Sequence, residues 1–214
     1  MANLKTLDSG RIVLANADYL HFTPYVNEDK IGEQTYDIVN IVADTLAFTP
    51  DDNTVNTKEW EFGDSPLFET ITLGKIQFAA TCIDFQNDIM KEIMGWTEQA
   101  GVLYAPSAYK DIYGVLEVGF KNEDVVVVVP KLKLNSKAVI STMKTGTAEG
   151  NLAGTAYTTH LSTSKDTTGM DTPMAIIPSG TDGNTTYTIK NGMGEAVFTI
   201  GGATAPAWTD KTGA

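Results

Sequence analysis

At 214 residues the chain is long enough for one large domain with a sizeable core, and 42% hydrophobic against 20% charged residues excludes wholesale disorder. A net charge of −12 argues against a nucleic-acid grip, which gains affinity from cations that displace phosphate counterions. No run approaches the roughly eighteen consecutive apolar residues of a membrane-spanning helix. The first ten residues lack the basic-then-apolar layout of a signal peptide. One cysteine, Cys82, leaves no intramolecular disulfide, which suits assembly in a reducing cytoplasm. The charge is lopsided: residues 1–100 hold 17 Asp/Glu against 6 Lys/Arg, and residues 101–214 hold 10 against 9. An acidic surface keeps a fold soluble, and it can also face DNA where the task is to repel it.

In chain order, most segments read as strands between turn clusters. Short apolar runs at 11–14 and 18–23 come first, followed by one from Thr35 through Ile38, Ile41 and Val42. Leu20/Phe22 and Leu46/Phe48 are spaced by two, so each pair shares one strand face. DYLHFTP at 18–24 and DTLAFTP at 44–50 form a short repeat, either a duplication or two similar strand endings. Each ends on a proline, which cannot donate to a ladder and should stop the strand or place it at an edge. Residues 57–62 put Trp60 and Phe62 on one face and Glu59 and Glu61 on the other. An overlong apolar strand is expected over 67–83, with a bulge or bend at Gly74.

One helix is predicted at about 84–95. Asp84 caps it, Phe85, Ile89, Ile93 and Met94 form its core stripe, and Gly95 supplies the C-terminal turn. Strands resume at 112–120 and in the valine run 125–129, whose lack of alternation predicts burial on both faces and whose end is set by Pro130. Lys131, Lys133, Asn135 and Lys137 then fall on one side of an alternating stretch. Residues 143–171, rich in Thr, Gly and Ser, read as a long arm or loop. A strand at 173–177 precedes a hairpin, 185–190 with 196–200, joined through Asn191, Gly192 and Gly194. The rest, 201–214, reads as a mobile tail. The expected division is therefore a mainly β domain over 1–180, sandwich- or barrel-like with one flanking helix, and a C-terminal hairpin-like extension over 181–214.

Catalytic patterns are hard to find. His21 and His160 have no Cys or His at metal-ligand spacing, so no metal or cofactor is expected. His21 falls opposite Leu20 and Phe22, which suggests an exposed or interface position. Cys82 ends an apolar strand and reads as a packed hydrophobe. Ser141 and Ser179 lack a nucleophile-elbow setting, and no phosphate-cradling glycine loop is present. The acids at 51–52 and 123–124 do not follow an EF-hand spacing. A non-enzymatic protein is the expectation.

The stretch GKIQFAATCIDFQNDIMKEIMGW (74–96) resembles the strand, aspartate, amphipathic helix and Gly-Trp segment of phage major tail (tail tube) proteins. VVVPKLKLN (127–135) is similar to that family's hydrophobic strand reaching a Pro-Lys element. The resemblance spans 10–180 in layout and these two stretches in detail; the hairpin at 182–200 has no place in it. It implies a structural virion protein, made in the host cytoplasm, that forms hexameric rings stacked into a tail tube. Strands of each subunit would join an inter-subunit β-barrel around a channel that passes DNA without tight binding, in contact with other tail proteins and no membrane. Glu59, Glu61, Asp64 and Glu69 are then the candidate lumen-facing acids. Competing readings are a capsid decoration protein or fibre-type adhesin, which would stay a small oligomer or need a capsid lattice, and a carbohydrate-binding module resting on Trp60, Trp96 and Trp208.

Overall fold

The computed structural model describes residues 17–38, 41–42, 44–59, 66–72, 74–82, 87–107, 111–120, 125–135, 137–142, 148–178, 185–202 and 206–211. For 54–59, 66–72, 87–89, 137–142 and 148–149 it describes the backbone alone. The chain opens with β1 (Ala17–Pro24), β2 (Tyr36–Asp37) and β3 (Ala47–Pro50). A hairpin of β4 (Thr54–Glu59) and β5 (Pro66–Thr72) precedes β6 (Ile76–Cys82) and helix α1 (Asn87–Glu92). A smaller hairpin, β7 (Thr97–Gln99) with β8 (Val102–Tyr104), leads into β9 (Ile112–Phe120) and β10 (Val125–Leu134). Then follow β11 (Lys137–Thr142), β12 (Ala148–Ala156), β13 (Thr159–Thr163), β14 (Met170–Thr172) and β15 (Ala175–Pro178). The last three strands are β16 (Thr186–Lys190), β17 (Gly194–Thr199) and β18 (Ala207–Asp210). The protein is mainly β, as the alternating patterns predict.

All strand pairs among the described residues are antiparallel. The large sheet runs β2-β1-β9-β10-β12-β6-β3, with β11 added to β12 and β15 added to β10. A second sheet runs β14-β13-β16-β17-β18. The large sheet buries both faces, because its central strands alternate apolar residues in both directions. On one face Leu20, Phe22, Leu116, Val118, Val127 and Val129 join Phe78, Leu132 and Leu152 in a first core. Met90, Ile93 and Met94, from α1 and the turn after it, cover that core. On the other face Val115, Val126 and Val128 pack against Leu161, Tyr187, Ile189, Ala196 and Phe198 of the second sheet. The result is a sandwich with one flanking helix.

The large sheet comes near to closing on itself. Ile38 donates its N–H to Leu20 O at 2.8 Å on β1, and four residues later Val42 donates to Thr81 O at 2.8 Å on β6. Ile41 bridges Cys82. Residues 36–38 thus bond to β1 and residues 41–42 to β6, and no closed barrel forms among the described strands.

Several expectations hold in register. β1 and β3 both stop at their prolines, Pro24 and Pro50, and β3 is an edge strand. The five valines are buried on both faces. Lys131 and Lys133 alternate with the buried Leu132 and Leu134. Gly95 ends the helical region at φ 70, where a left-handed residue is needed.

Others are corrected. Residues 67–83 are not one strand: β5 pairs with β4, β6 pairs with β12 and β3, and the chain breaks at Gly74. A Cβ on Gly74 would collide with the Asp51 carbonyl, so the bend needs glycine. Strand β10 does not end at Pro130; its register with β9 shifts between Val129 and Leu132, and a bulge accommodates a residue with no N–H. The stretch 143–171 is not a long arm, since β12, β13 and β14 occupy most of its described residues. The helix ends at Glu92, before Gly95; its described part is Asn87–Glu92, and the expected cap Asp84 lies outside the described residues. The terminal stretch is not all tail, because β18 pairs with β17 from Gly194↔Asp210 to Val197↔Ala207. Nor is the C-terminal hairpin a separate extension: β16 pairs with β13, which lies before residue 180, so both belong to the second sheet.

Candidate functional site

The acids expected to line a channel fall in and around the β4–β5 hairpin. Its register sets Thr57 opposite Glu69 and Glu59 opposite Pro66; Glu61 and Asp64 lie outside the described residues. The hairpin forms its own two-stranded sheet, inserted between β3 and β6. Its root is clamped. Asp51 N–H donates to Lys75 O at 2.8 Å, Gly74 N–H donates to Asn53 Oδ1 at 2.9 Å, and Gln77 Nε2 donates to Asp51 Oδ2 at 2.6 Å. A fixed base thus carries a ribbon whose strands, among the described residues, pair with each other alone.

A second surface lies between β14 and β15, each of which pairs on one side alone among the described residues. Leu161, Met170, Met174, Ile176, Ile177 and Pro178 line an apolar cleft of about 480 Å³ there, with Lys165 and Asp166 at its side. Met170 is 66% exposed and Ile176 43%. Apolar side chains beside unpaired strand edges mark a place where another chain can add on.

Between the two sheets sits the one buried carboxylate among the described residues, Glu117. It points from β9 into the second core and accepts three hydrogen bonds. Tyr19 Oη and the Gly201 amide donate to Oε1 at 2.9 and 2.7 Å, and Tyr187 Oη donates to Oε2 at 2.9 Å. Burial, and the Glu117 charge beside them, push both phenols well above their ordinary pKa, so they stay protonated and donate. Glu117 does not stand out in the sequence as a functional residue. Its signal was a lone acid inside the apolar run 112–120, two residues before Gly119, where the Tyr19 ring lies.

His21 faces away from Leu20 and Phe22 as expected, but it is not exposed. The second sheet covers that face and leaves the residue 8% exposed. Its ring stacks on Tyr19 at 4.4 Å, its Nε2 lies 3.8 Å from Asp37 Oδ1, and its Nδ1 has no hydrogen-bond partner among the described residues. His160 bonds Asp171 at 3.0 Å on the surface. Cys82 is buried in the first core, as its position predicts.

Of the helix stripe, Ile93 and Met94 are buried just after α1; Ile89 is placed in α1 by its backbone, and Phe85 lies outside the described residues. Met90 joins them, a core residue the stripe omitted. Trp96 packs half-buried against the first core and Trp208 half-buried against the second; Trp60 lies outside the described residues. Among the described residues no group of three His, Cys, Asp or Glu side chains converges to hold a metal, and no helix is long and apolar enough to cross a membrane.

No protein-family model matches the chain, and no curated protein matches it.

Proposed function

We propose that the chain is a structural subunit of a phage tail tube, assembling into stacked hexameric rings around a channel for DNA. The observation that carries this reading is the β4–β5 hairpin. It leaves the large sheet from a clamped root and, among the described residues, pairs with neither layer. A two-stranded ribbon is at best marginally stable alone, so its edges call for neighbours, and copies arranged in a ring supply them on both sides. The hairpin region carries Asp51, Asp52, Glu59, Glu61, Asp64 and Glu69 against Lys58 alone. An anionic wall of this kind repels phosphates and lets DNA pass. The apolar cleft between β14 and β15 adds a second place for a neighbouring copy.

Negative-stain electron microscopy and light scattering of the concentrated protein test the reading. Rings or hollow tubes, formed without a cofactor, are expected. Compact monomers alone, even with tail-tip components added, overturn it. A small closed oligomer that binds only to a capsid lattice would favour a decoration protein instead.

A further inference from the structure

We propose that Glu117 is a latch that makes docking of the second sheet onto the first an all-or-none step, so that this layer opens and closes as one unit while the first core stays folded. The first core is complete without the second sheet: its buried members come from β1, β6, β9, β10 and β12, Ile38 and the α1 region. The second sheet is held across a smaller core with a carboxylate at its centre.

The origin of the three donors supports the step. Tyr19 belongs to β1 and is present whether or not the second sheet is docked. Tyr187 and Gly201 arrive only with the second sheet, on β16 and in the turn after β17. With the layer open, water solvates Glu117. With the layer half closed, a desolvated carboxylate would keep one of its three donors, which is costly. Intermediate positions are therefore penalised and the two end states favoured. The groups that face the carboxylate are His21, directly opposite on β1, Tyr19, Tyr187, and Val128 opposite on β10. No lysine or arginine is among them, so the hydroxyls and the amide must carry the charge. The latch does not rest on the tube reading.

Native-state hydrogen exchange on the intact protein tests it. In the wild type, β16 and β17 amides should exchange through an opening that leaves β6 and β12 protected. Glu117→Gln and Tyr187→Phe should speed β16 and β17 exchange by about tenfold, and Glu117→Leu, which strands the buried Tyr187 hydroxyl and takes the acceptor from the half-buried Tyr19 hydroxyl and the Gly201 amide, by about a hundredfold. In each variant β6 and β12 should change by less than about twofold. The latch is overturned if β6 and β12 open together with β16 and β17 in the wild type, or if the variants accelerate all four strands equally. If Glu117→Leu fails to fold, the wild type and the two milder variants decide the question.

Discussion

The two faces of the large sheet are buried in different ways. One face packs aliphatic, aromatic and thioether side chains under α1, with Cys82 as another small hydrophobe. The other face holds Tyr19, His21, Thr23 and Glu117 beneath the second sheet, alongside Val126 and Val128. An apolar core tolerates sliding and repacking, because any hydrophobe of the right volume serves. A buried carboxylate with three fixed donors accepts one arrangement of the layers and resists others. The first core therefore supplies stability, and the second specifies how the layers meet.

The same deletion made in each core breaks or sharpens that comparison. Leu132 is fully buried in the first core, whereas Leu161 lines the open cleft beside β14. Leu132→Ala should cost about 3–5 kcal/mol, and Leu161→Ala nearer 2 kcal/mol, because Leu161, though buried, borders a cleft that can collapse or fill with water. Equal costs in chemical denaturation would erase the distinction between a closed core and a layer with an open rim.

A smaller effect tests how tightly the second face is fitted. A Cβ on Gly119 would run into the Tyr19 ring, the same ring whose hydroxyl serves Glu117. Gly119→Ala should destabilise by about 1–3 kcal/mol through overpacking. In a Tyr19→Ala background most of that further cost should vanish, and a double-mutant cycle reads the coupling. Additive costs would mean that Gly119 is needed for its backbone and not for the ring.

These positions also explain what the sequence could and could not reveal. The valine run, the paired prolines and the Asn191-Gly192 turn carry local chemistry that dictates local structure, so they were legible. Strand β12 was not, because its inward positions are small. Gly150, Gly154 and Ala156 face inward with Leu152, and Gly154 sits opposite Phe78 and against Lys133 O, where a side chain would not fit. Small residues that look like loop composition are there to admit close neighbours. Pro130 was misleading for a related reason, since a bulge removes the need for its missing N–H. Glu117 looked like an ordinary strand acid because its partners come from distant parts of the chain, Tyr19, Tyr187 and Gly201. The candidate hairpin acids were legible as charge, while the clamp at the hairpin root was not.

Alkaline pH should strain the polar face first. Burial raises the phenols of Tyr19, Tyr25 and Tyr187 above the ordinary 10.0, with Glu117 adding to the effect on Tyr19 and Tyr187 and Asp29 to that on Tyr25. The unfolded chain loses these protons from pH 10 upward while the folded chain keeps them. The stability is therefore fully present below pH 10 and is lost as pH rises toward the folded values. For the fully buried Tyr187 the slope is about 1.4 kcal/mol per pH unit. Denaturation followed by phenolate absorbance should show the loss, and Tyr187→Phe should flatten it. A profile unchanged by that substitution would place the alkaline sensitivity elsewhere.

The smallest effect on stability belongs to the hairpin, and there the test is one of function. Glu59 and Glu69 lie on β4 and β5, outside both layers of the sandwich. If both side chains face solvent, as the alternating pattern of 57–62 predicts for Glu59, replacing both with lysine should shift stability by only about 0.5 kcal/mol. In a tube the same change would place two new cations per subunit along the path of the genome, where each can hold a phosphate. Particles built from this variant should assemble normally and eject their DNA slowly, with the defect relieved by added salt, which screens the new attraction. Normal ejection at low ionic strength would put these two carboxylates on the outer wall, and the acidity of the hairpin would then serve solubility, with no part in the passage of DNA.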